Sequence, residues 1–564
     1  MQTAPMRQIL LVALRSWANP LPILLAALWS TPTTQSAPAP TPKWTRFEYG
    51  FTSTSAYTNP VQQVDLRVEF RSPSGVMRTV YAFWDGDTTW RVRFAPDETG
   101  PWTWRTICSD LHNGGLHDLT GGFTCGPPRP NGSRFDRHGP VIIANDGVHL
   151  VQADGTPFFW LADTAWNGPL WSSLEDWDLY LRHRAQQGFT AVQWVAAQWR
   201  GSPDGDSLKQ RAYTGETHIS VNLDFFRRLE ERHQALVRAG LLSVPVMLWA
   251  INRGPEDADN PGVSLPEKEA ILLARYMTAR WNADPVVWIL NGDGDYRGEK
   301  AARWRMIGRG VFQDIWHAPV AIHPGGLMWA MDGFPDESWL SIAGYQSGHS
   351  DTESNSHWIT TGPPATYWKR DRARASLSLE APYESPAREG RTPAPEYVTR
   401  RNHYWSILNA PIVGITYGAA GVWSWSDGVN PTPGHGPRVS PAWKTLLDLP
   451  AATQMTHLIR FFASIDFQRL RPEPRVLARQ PGTDAVTRFI SAAQTPDQDL
   501  TVIYTPVDRT IAATTAALPD GAVGEWFNPR TGARTAASGK TAGDATEFLT
   551  PTEGDWLLVL KKGK

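Results

Sequence analysis

Two stretches decide the fold: PVVWILNGDGDY, residues 285–296, and ASLSLEAPYE, residues 375–384. In each, an apolar run of strand length leads to an acidic residue, Asp293 in the first and Glu380 in the second. Two further strand-like runs lie between these acids. If all these runs belong to one (β/α)8 barrel, both carboxylates project from the same rim, because the functional groups of such barrels lie at the carboxyl ends of the strands.

The wider pattern from residue 139 to 455 is strand, loop and helix, repeated. Ser173 followed by Asp176 predicts one helix start, and Asn222 predicts another before an amphipathic segment that ends at Gly240. Eight such units predict a TIM barrel. The main alternative is a doubly wound open sheet, which carries a Gly-rich phosphate turn after its first strand, and FFWLADTAW has none. The other six predicted strands are 158–164, 189–197, 241–250, 318–323, 339–346 and 412–425.

Both flanks of the barrel region consist of short strand-like runs separated by turn residues, without a helical pattern. Residues 44–128 predict an N-terminal β-sandwich, and 460–564 predict a C-terminal β-sandwich accessory domain whose first strand is RVLARQP, 475–481. The expected fold class is therefore α/β, a (β/α)8 TIM barrel at 139–455 between two β-sandwich domains.

Residues 1–39 have the pattern of a signal peptide. Arg7 and Arg15 supply positive charge, residues 20–29 form an apolar stretch, and small residues at Ser36 and Ala39 offer a cleavage site. The apolar stretch is too short to span a bilayer, and no other stretch predicts a membrane span. We expect a secreted or periplasmic protein.

Composition excludes several classes of function. The net charge of −2 over 564 residues gives no field that favours nucleic acid. No HExxH, GxSxG or P-loop motif is present, so no metal or cofactor is predicted. The 28 Trp residues suit the apolar faces of sugar rings, although packing in the core is the alternative use of each one. The oligomeric state is left open.

Cys108 and Cys125 flank a Gly-rich loop. In an oxidising compartment a disulfide between them would close that loop, and two free thiols are the alternative.

The two acids at the strand ends match the chemistry of glycosidic bond cleavage. A retaining glycosidase needs one carboxylic acid to protonate the leaving oxygen and one carboxylate to attack the anomeric carbon. We assign Asp293 as acid/base and Glu380 as nucleophile, with Asp295 and Glu384 as the nearest alternatives. A structural role for either acid, as a helix cap or an ion-pair partner, is the competing interpretation. The expected partner is a carbohydrate substrate.

Polar and aromatic residues at the other predicted strand ends are candidates to bind sugar hydroxyls and stack on sugar rings. Each of them has packing in the barrel wall as its alternative role. The candidates are Asp163, Trp166, Trp194, Trp199, Trp249, Asn291, Tyr345, Gln346, His349, Tyr383, Trp423 and Trp425.

The motifs FFWLADTAWNG, VNLDFF, WILNGDGDY, GYQSGH and LEAPYE together resemble the apiosidase-like glycoside hydrolases of bacteria. The resemblance implies a TIM barrel with a β-sandwich before it and a collagen-binding-type domain after it. It also implies an acid/base at Asp293 and a nucleophile at Glu380. The family reads Gly-Gly-Asp where this chain reads Asn291-Gly292-Asp293, and Asn291 is similar to the Asn that contacts the 2-hydroxyl in related barrel glycosidases.

The resulting expectation is an exported glycoside hydrolase that cleaves plant or microbial polysaccharide by a retaining mechanism. The resemblance suggests apiose- or arabinose-type furanosides as substrates. The alternative is a non-catalytic carbohydrate-binding or surface-attachment protein on the same scaffold.

Overall fold

Eight parallel strands form a barrel in the computed structural model, which describes residues 39–384 and 395–563. Each strand pairs with the next in chain order, β1 also pairs with β8, and β7 contacts β8 to close the barrel. This arrangement confirms the predicted TIM barrel. Its strands are β1 Trp160–Thr164, β2 Ala191–Val195, β3 Leu242–Trp249, β4 Trp288–Gly294, β5 Val320–Pro324, β6 Ile342–Gln346, β7 Ala375–Glu380 and β8 Gly414–Tyr417.

The barrel strands are buried on both faces, which explains their continuous apolar runs. One face packs in the barrel interior and the other packs against the surrounding helices. The helices that follow and connect the strands are Gly168–Trp171, Leu174–Gln186, Leu223–Arg238, Pro261–Ser264, Glu267–Trp281, Lys300–Phe312, Glu353–Thr360, Pro363–Thr366, Glu396–Leu408, Ala420–Trp423 and Pro450–Ala463.

The two predicted helix starts are confirmed. The side chain of Ser173 accepts a hydrogen bond from the backbone N–H of Asp176, and that of Asn222 accepts one from Phe225. Each bond satisfies a backbone donor that has no partner within its helix. Across the residues that the structure describes, no helix has the length and apolar character needed to cross a membrane.

The region before the barrel is rich in β-structure. Its seven strands form one bent sheet in which Met77–Trp84 pairs with both Leu66–Arg71 and Thr89–Phe94, around a core that includes Phe70, Trp90 and Trp102. The other four strands are Thr41–Pro42, Phe47–Thr52, Gly100–Cys108 and Thr120–Gly126. Short helices Pro60–Gln63 and Arg134–His138 and the hairpin Val141–Ile143 with Leu150–Gln152 complete this part of the chain.

The predicted disulfide is wrong, because Cys108 and Cys125 are both free and buried. In the antiparallel pair Gly100–Cys108 and Thr120–Gly126, Cys125 lies opposite Gly100, at the far end of the strand from Cys108. Eight residues of extended strand separate the two thiols by about 26 Å, far beyond the reach of a disulfide.

After the barrel, two antiparallel sheets enclose a second β-rich core that includes Ile503, Trp526 and Trp556. The predicted strand at 475–481 is wrong. Pro474 and Pro481 begin 3-10 turns there, because proline lacks the N–H that a strand ladder needs. The strands are Arg471–Pro472, Ser491–Gln494, Leu500–Thr505, Val523–Phe527, Arg534–Ala537 and Trp556–Lys561 in one sheet, and Thr510–Thr514, Gly539–Ala542 and Ala545–Leu549 in the other.

The helix Pro450–Ala463 continues across the boundary predicted between residues 455 and 460. A small antiparallel pair, Tyr213–Thr214 with Ser220–Val221, lies in the loop after β2. The described 3-10 turns are Pro255–Asp257, Met331–Gly333, Tyr367–Lys369, Trp443–Leu446, Phe467–Arg469, Pro474–Val476, Pro481–Thr483, Val486–Arg488 and Thr515–Ala517.

Candidate active site

Asp293 and Glu380 lie at the carboxyl ends of β4 and β7 and line the same cavity. Glu380 is the last residue of its strand and is 6 % exposed. Asp293 is half-buried and has a φ of +51°, at a point where the register between β4 and β5 shifts twice. Such an irregularity interrupts the alternation of side chains along a strand and can aim one of them into a site.

A single side chain connects the two acids. Gln346, at the end of β6, donates from Nε2 to Oδ1 of Asp293 at 3.1 Å and to Oε2 of Glu380 at 3.2 Å. The sum of these distances, 6.3 Å, is the upper limit for the separation of the two carboxylate oxygens. The two acids therefore face each other within one small space.

Two histidines hold Glu380 as a carboxylate. His349 Nε2 lies 2.8 Å from Oε1, and His323 Nε2 lies 3.2 Å from Oε2. Burial alone would raise the pKa of Glu380, but the hydrogen bonds from His323 and His349 outweigh it and bring the pKa well below its ordinary value. His323 Nδ1 accepts the backbone N–H of Asp293 at 3.4 Å, so its ring proton lies on Nε2, toward Glu380.

The pKa of Asp293 moves in the opposite direction. Burial raises it, and the nearby charge of Glu380 raises it further, against the lowering effects of His323, Arg253 and Gln346. One acid is thus favoured in its neutral form beside another that is favoured as an anion.

Five Trp and Tyr rings form part of the cavity wall. Trp166, Trp199, Trp249, Tyr383 and Trp423 line a space of about 550 Å³, which is in the range of small-ligand sites. The rings support one another: Trp199 and Trp249 lie 4.5 Å apart between centroids, and Trp166 Nε1 donates to the hydroxyl of Tyr383 at 2.8 Å.

A glycine allows one of these rings to reach its place. A Cβ at Gly292 would lie 2.5 Å from the ring of Trp249, so any larger residue beside Asp293 would push that indole out of position. The pKa of Tyr383 is raised well above its ordinary value by burial and by the charge of Glu380, which keeps the phenol protonated next to the carboxylate.

Seven of the twelve predicted carbohydrate contacts line the cavity around the two acids, Asn291 is buried behind it, and the other four lie elsewhere. Asp163 faces the helix Leu174–Gln186, where it pairs with Arg184 at 2.7 Å and accepts from Tyr180. Trp194 donates to Ser243 and packs against Trp281. Both side chains are on the outer face of their strands, so their assignment to the sugar site is wrong.

Tyr345 and Trp425 are also structural. Tyr345 packs outward against Trp358 of the helix Glu353–Thr360, and burial raises its pKa to about 12. Trp425 stacks on Trp443 at 4.1 Å between ring centroids. Neither lines the cavity that contains Asp293. Their prediction as substrate contacts is therefore wrong as well.

Asn291 is fully buried in β4 and does not line the cavity surface. Neither Nδ2 nor Oδ1 of its amide has a hydrogen-bond partner among the described residues. A contact between Asn291 and substrate stays a prediction. The remaining predicted contacts, Trp166, Trp199, Trp249, Gln346, His349, Tyr383 and Trp423, all line the cavity.

The two alternative acids have structural partners. Asp295 forms ion pairs with Arg297 and Lys300 outside the cavity lining. Glu384 is buried, accepts from Tyr417, and accepts the backbone N–H of Ala451 at the start of the helix Pro450–Ala463. Neither Asp295 nor Glu384 lines the cavity that contains Asp293 and Glu380.

One side of the cavity is basic and contains none of the predicted contacts; it is lined by Arg200, Arg253, His435 and Arg438. Arg200 is paired with Asp257, and its guanidinium donates to the carbonyl of Gly434, which fixes the loop that carries His435 and Arg438. These residues lie in long loops rather than at strand ends, so no periodic pattern marked them.

A barrel whose carboxyl rim presents two facing acids within an aromatic cavity has the arrangement of a glycosidase. Two solved structures show the same fold. One, a glycoside hydrolase family 5 protein of Bacteroides vulgatus, is 18% identical over 75% of this chain and 93% of its own, with a TM-score of 0.65. The other, a candidate glycoside hydrolase of the same species, is 17% identical over 93% of this chain and 99% of its own, with a TM-score of 0.70.

Family profiles cover nearly all of the described chain. The apiosidase-like catalytic domain matches residues 144–469. A domain of unknown function, DUF5060, matches residues 40–109, and a candidate collagen-binding domain of a collagenase matches 472–561. Comparison with curated protein sequences gives no match.

The catalytic-domain profile spans more than half of this chain, which therefore belongs to the apiosidase-like family. It is an enzyme of the glycoside hydrolase class, as the resemblance in its motifs implied. The hypothesis of a purely carbohydrate-binding protein is correspondingly disfavoured.

Proposed function

We propose that this enzyme is a retaining glycosidase in which Asp293 is the acid/base and Glu380 the nucleophile. The observation that carries the proposal is the bridge through Gln346. This bridge limits the distance between Oδ1 of Asp293 and Oε2 of Glu380 to at most 6.3 Å. Retaining enzymes hold their carboxyl groups about 5–5.5 Å apart, whereas inverting enzymes leave about 6.5–9.5 Å for a water molecule. The opposite pKa directions of the two acids support the same roles.

In the first step, Glu380 attacks the anomeric carbon while the proton of Asp293 passes to the glycosidic oxygen. The carbon–oxygen bond to the leaving group breaks, and a glycosyl ester forms on Glu380. In the second step, Asp293, now a carboxylate, takes a proton from water as the water oxygen attacks the same carbon and releases Glu380. Two inversions at one carbon give net retention.

We further propose a furanoside substrate of the apiose or arabinose type within plant or microbial polysaccharide. The support is the family profile together with a cavity of about 550 Å³, which suits a small sugar unit between Trp walls. Ring C–H groups of the sugar would pack on the indoles.

We also propose that the protein is exported to the periplasm or beyond, as the pattern of residues 1–39 predicts. Residues 1–38 lie outside the described part of the chain. N-terminal sequencing of the protein recovered from the periplasm or medium tests this proposal. A mature N-terminus near residue 40 supports it, and an intact Met1 on cytosolic protein contradicts it.

The test of the catalytic proposal is a panel of methyl and 4-nitrophenyl furanosides and pyranosides, with pectic and arabinan polysaccharides. Wild type is compared with Asp293→Ala and Glu380→Ala. We expect both variants to lose at least about a thousandfold in kcat, because each lacks one of the two required groups. Proton NMR of the first product should show the substrate's own anomeric configuration.

Asp295→Ala is the matched control, because it removes an acid two residues from Asp293 that does not line the cavity. We expect it to keep activity within a few fold. A product of inverted configuration, or activity lost in the control and kept in Asp293→Ala, would refute the assignment.

A further inference from the structure

Gln346 occupies an unusual position between the two acids. It ends β6 and lies directly opposite Glu380 of β7, where a register shift between Tyr345 and Gln346 brings the two side chains level. The residue is 4 % exposed. Without that shift Gln346 would pair with Leu379, because Tyr345 pairs with Ser378.

The orientation of the Gln346 amide is fixed by its neighbours. A carboxamide nitrogen carries two hydrogens, and Nε2 contacts one oxygen of each acid, Oδ1 of Asp293 and Oε2 of Glu380. The flipped amide would direct its oxygen at the carboxylate of Glu380, which has no proton to donate, and would lose that hydrogen bond. Oε1 instead faces Gly326, where an added Cβ would lie 3.4 Å away.

We propose that Gln346 is a positioning residue that selects Oδ2 of Asp293 as the oxygen carrying the transferable proton. The inference rests on the proposed retaining mechanism. An N–H group donates to the carbonyl oxygen of a neutral carboxylic acid in preference to its hydroxyl oxygen, which is the poorer acceptor. Because Nε2 donates to Oδ1, the hydroxyl of Asp293 is on Oδ2, the oxygen that this amide leaves free for the leaving group.

The same bridge keeps the two acids close. Two carboxylates repel each other at this separation, and a neutral donor that binds both reduces the cost of their approach. Gln346 thus sets both which oxygen of Asp293 delivers the proton and how near it lies to the sugar bound at Glu380.

The first test compares leaving groups. Gln346→Met keeps the length of the side chain and removes both donors. If Gln346 acts through Asp293, kcat/KM for a methyl furanoside should fall at least about tenfold more than kcat/KM for the matching 4-nitrophenyl furanoside, because nitrophenolate leaves without a proton. Equal losses on the two substrates would overturn the inference.

The second test is the alkaline limb of the pH profile of kcat/KM, which reports the pKa of the acid in the free enzyme. Loss of the donor to ionised Asp293 should move this limb up by about one pH unit. A role in packing alone would admit water, weaken the effect of burial and leave the limb unchanged or lower. Either of those results would contradict the inference.

Gln193→Met is the matched control. Gln193 is also a buried glutamine in the barrel interior, but its Nε2 donates to the backbone carbonyl of Leu379 at 2.7 Å rather than to an acid. We expect no leaving-group dependence and no shift of the alkaline limb. A shift equal to that of Gln346→Met would assign the effect to general loss of interior polarity and refute the inference.

Gln346→Asn provides a second variant if circular dichroism shows that Gln346→Met does not fold. It keeps the amide but withdraws the nitrogen by one methylene. We therefore expect the same leaving-group dependence and the same upward shift of the alkaline limb as for Gln346→Met. Asp293→Ala is the reference for both tests. If Asp293→Ala itself shows no leaving-group dependence, the acid assignment fails; if only the Gln346 variants lack it, the positioning role alone fails.

Discussion

At the residue scale, the contacts of two carboxylates determine their different chemistry. Glu380 is contacted on Oε1 by His349 and on Oε2 by His323 and Gln346, whereas Asp293 receives one bond from a neutral amide. Donors that bind an anion lower its pKa, and burial with few donors raises it. The pKa of Glu380 is therefore lowered and that of Asp293 raised, as the proposed roles of nucleophile and acid require.

His349→Leu tests this account of Glu380. The variant loses the 2.8 Å contact to Oε1, so the pKa of Glu380 should rise. The acidic limb of the pH profile of kcat/KM should move to higher pH by about one unit, since the nucleophile must be ionised. His357→Leu, which removes an exposed histidine from the helix Glu353–Thr360, is the control and should leave the limb in place. An unmoved limb in His349→Leu would contradict the role of this hydrogen bond.

At the element scale, the residues that follow β7 contact the last helix of the barrel region. Four residues beyond Glu380, Glu384 accepts the backbone N–H groups of Ala451 and Ala452 and caps the helix Pro450–Ala463. A carboxylate at this position also interacts favourably with the helix dipole. The cap holds residues 381–384, which directly follow Glu380, against this helix.

Glu384→Ala should lower the free energy of unfolding by about 2 kcal/mol, because it removes the cap and leaves the hydroxyl of Tyr417 without its acceptor. We expect kcat/KM to remain within a few fold, since Glu384 does not line the cavity. Urea unfolding and steady-state kinetics measure the two effects. A loss of activity as large as that of Glu380→Ala, at unchanged stability, would restore Glu384 as a candidate catalytic acid.

Sequence patterns located the eight strands and both acids, because strand length and terminal position are visible in the chain. They could not determine which face each strand residue occupies, since strands buried on both faces show no alternation. Gln193 and Trp194 illustrate the problem: adjacent and both buried, one points into the barrel and the other into the helix layer. The basic residues Arg253 and Arg438 reach the cavity from loops, where position depends on tertiary contacts alone.

At the scale of the whole molecule, ion pairs connect the N-terminal β-rich region to the barrel. Arg46 pairs with Asp284, which precedes β4 and also accepts from His233 at 2.9 Å. Arg93 pairs with Glu230 of the helix Leu223–Arg238 at 2.6 Å. Burial alone would raise the pKa of Asp284, but Arg46 and His233 outweigh it and lower the pKa strongly.

Asp284→Asn should therefore destabilise the protein by about 3 kcal/mol at pH 7, because it leaves Arg46 and His233 without their anion. A depressed folded-state pKa contributes stability above the unfolded value of about 3.9 that is lost as pH falls. The difference between variant and wild type should thus be constant above about pH 5 and shrink below about pH 4. Chemical unfolding at several pH values measures it.

Asp448→Asn is the control for that series, since Asp448 is 76% exposed in its pair with His183. A surface pair of this kind contributes about 0–1 kcal/mol. A destabilisation by Asp284→Asn that persists unchanged at pH 3 would show that the charge of Asp284 is not the source.

The distance between Cys108 and Cys125 has a practical consequence for handling the protein. A chain whose native state needs no sulfur cross-link has no oxidative step to complete, so it should reach its fold in the reducing cytosol of an expression host. Dithiothreitol should leave its melting temperature unchanged, and a thiol reagent such as Ellman's should label both sulfurs only after denaturant exposes them. Purification under reducing conditions would then protect the enzyme from intermolecular dimers at no cost to its stability.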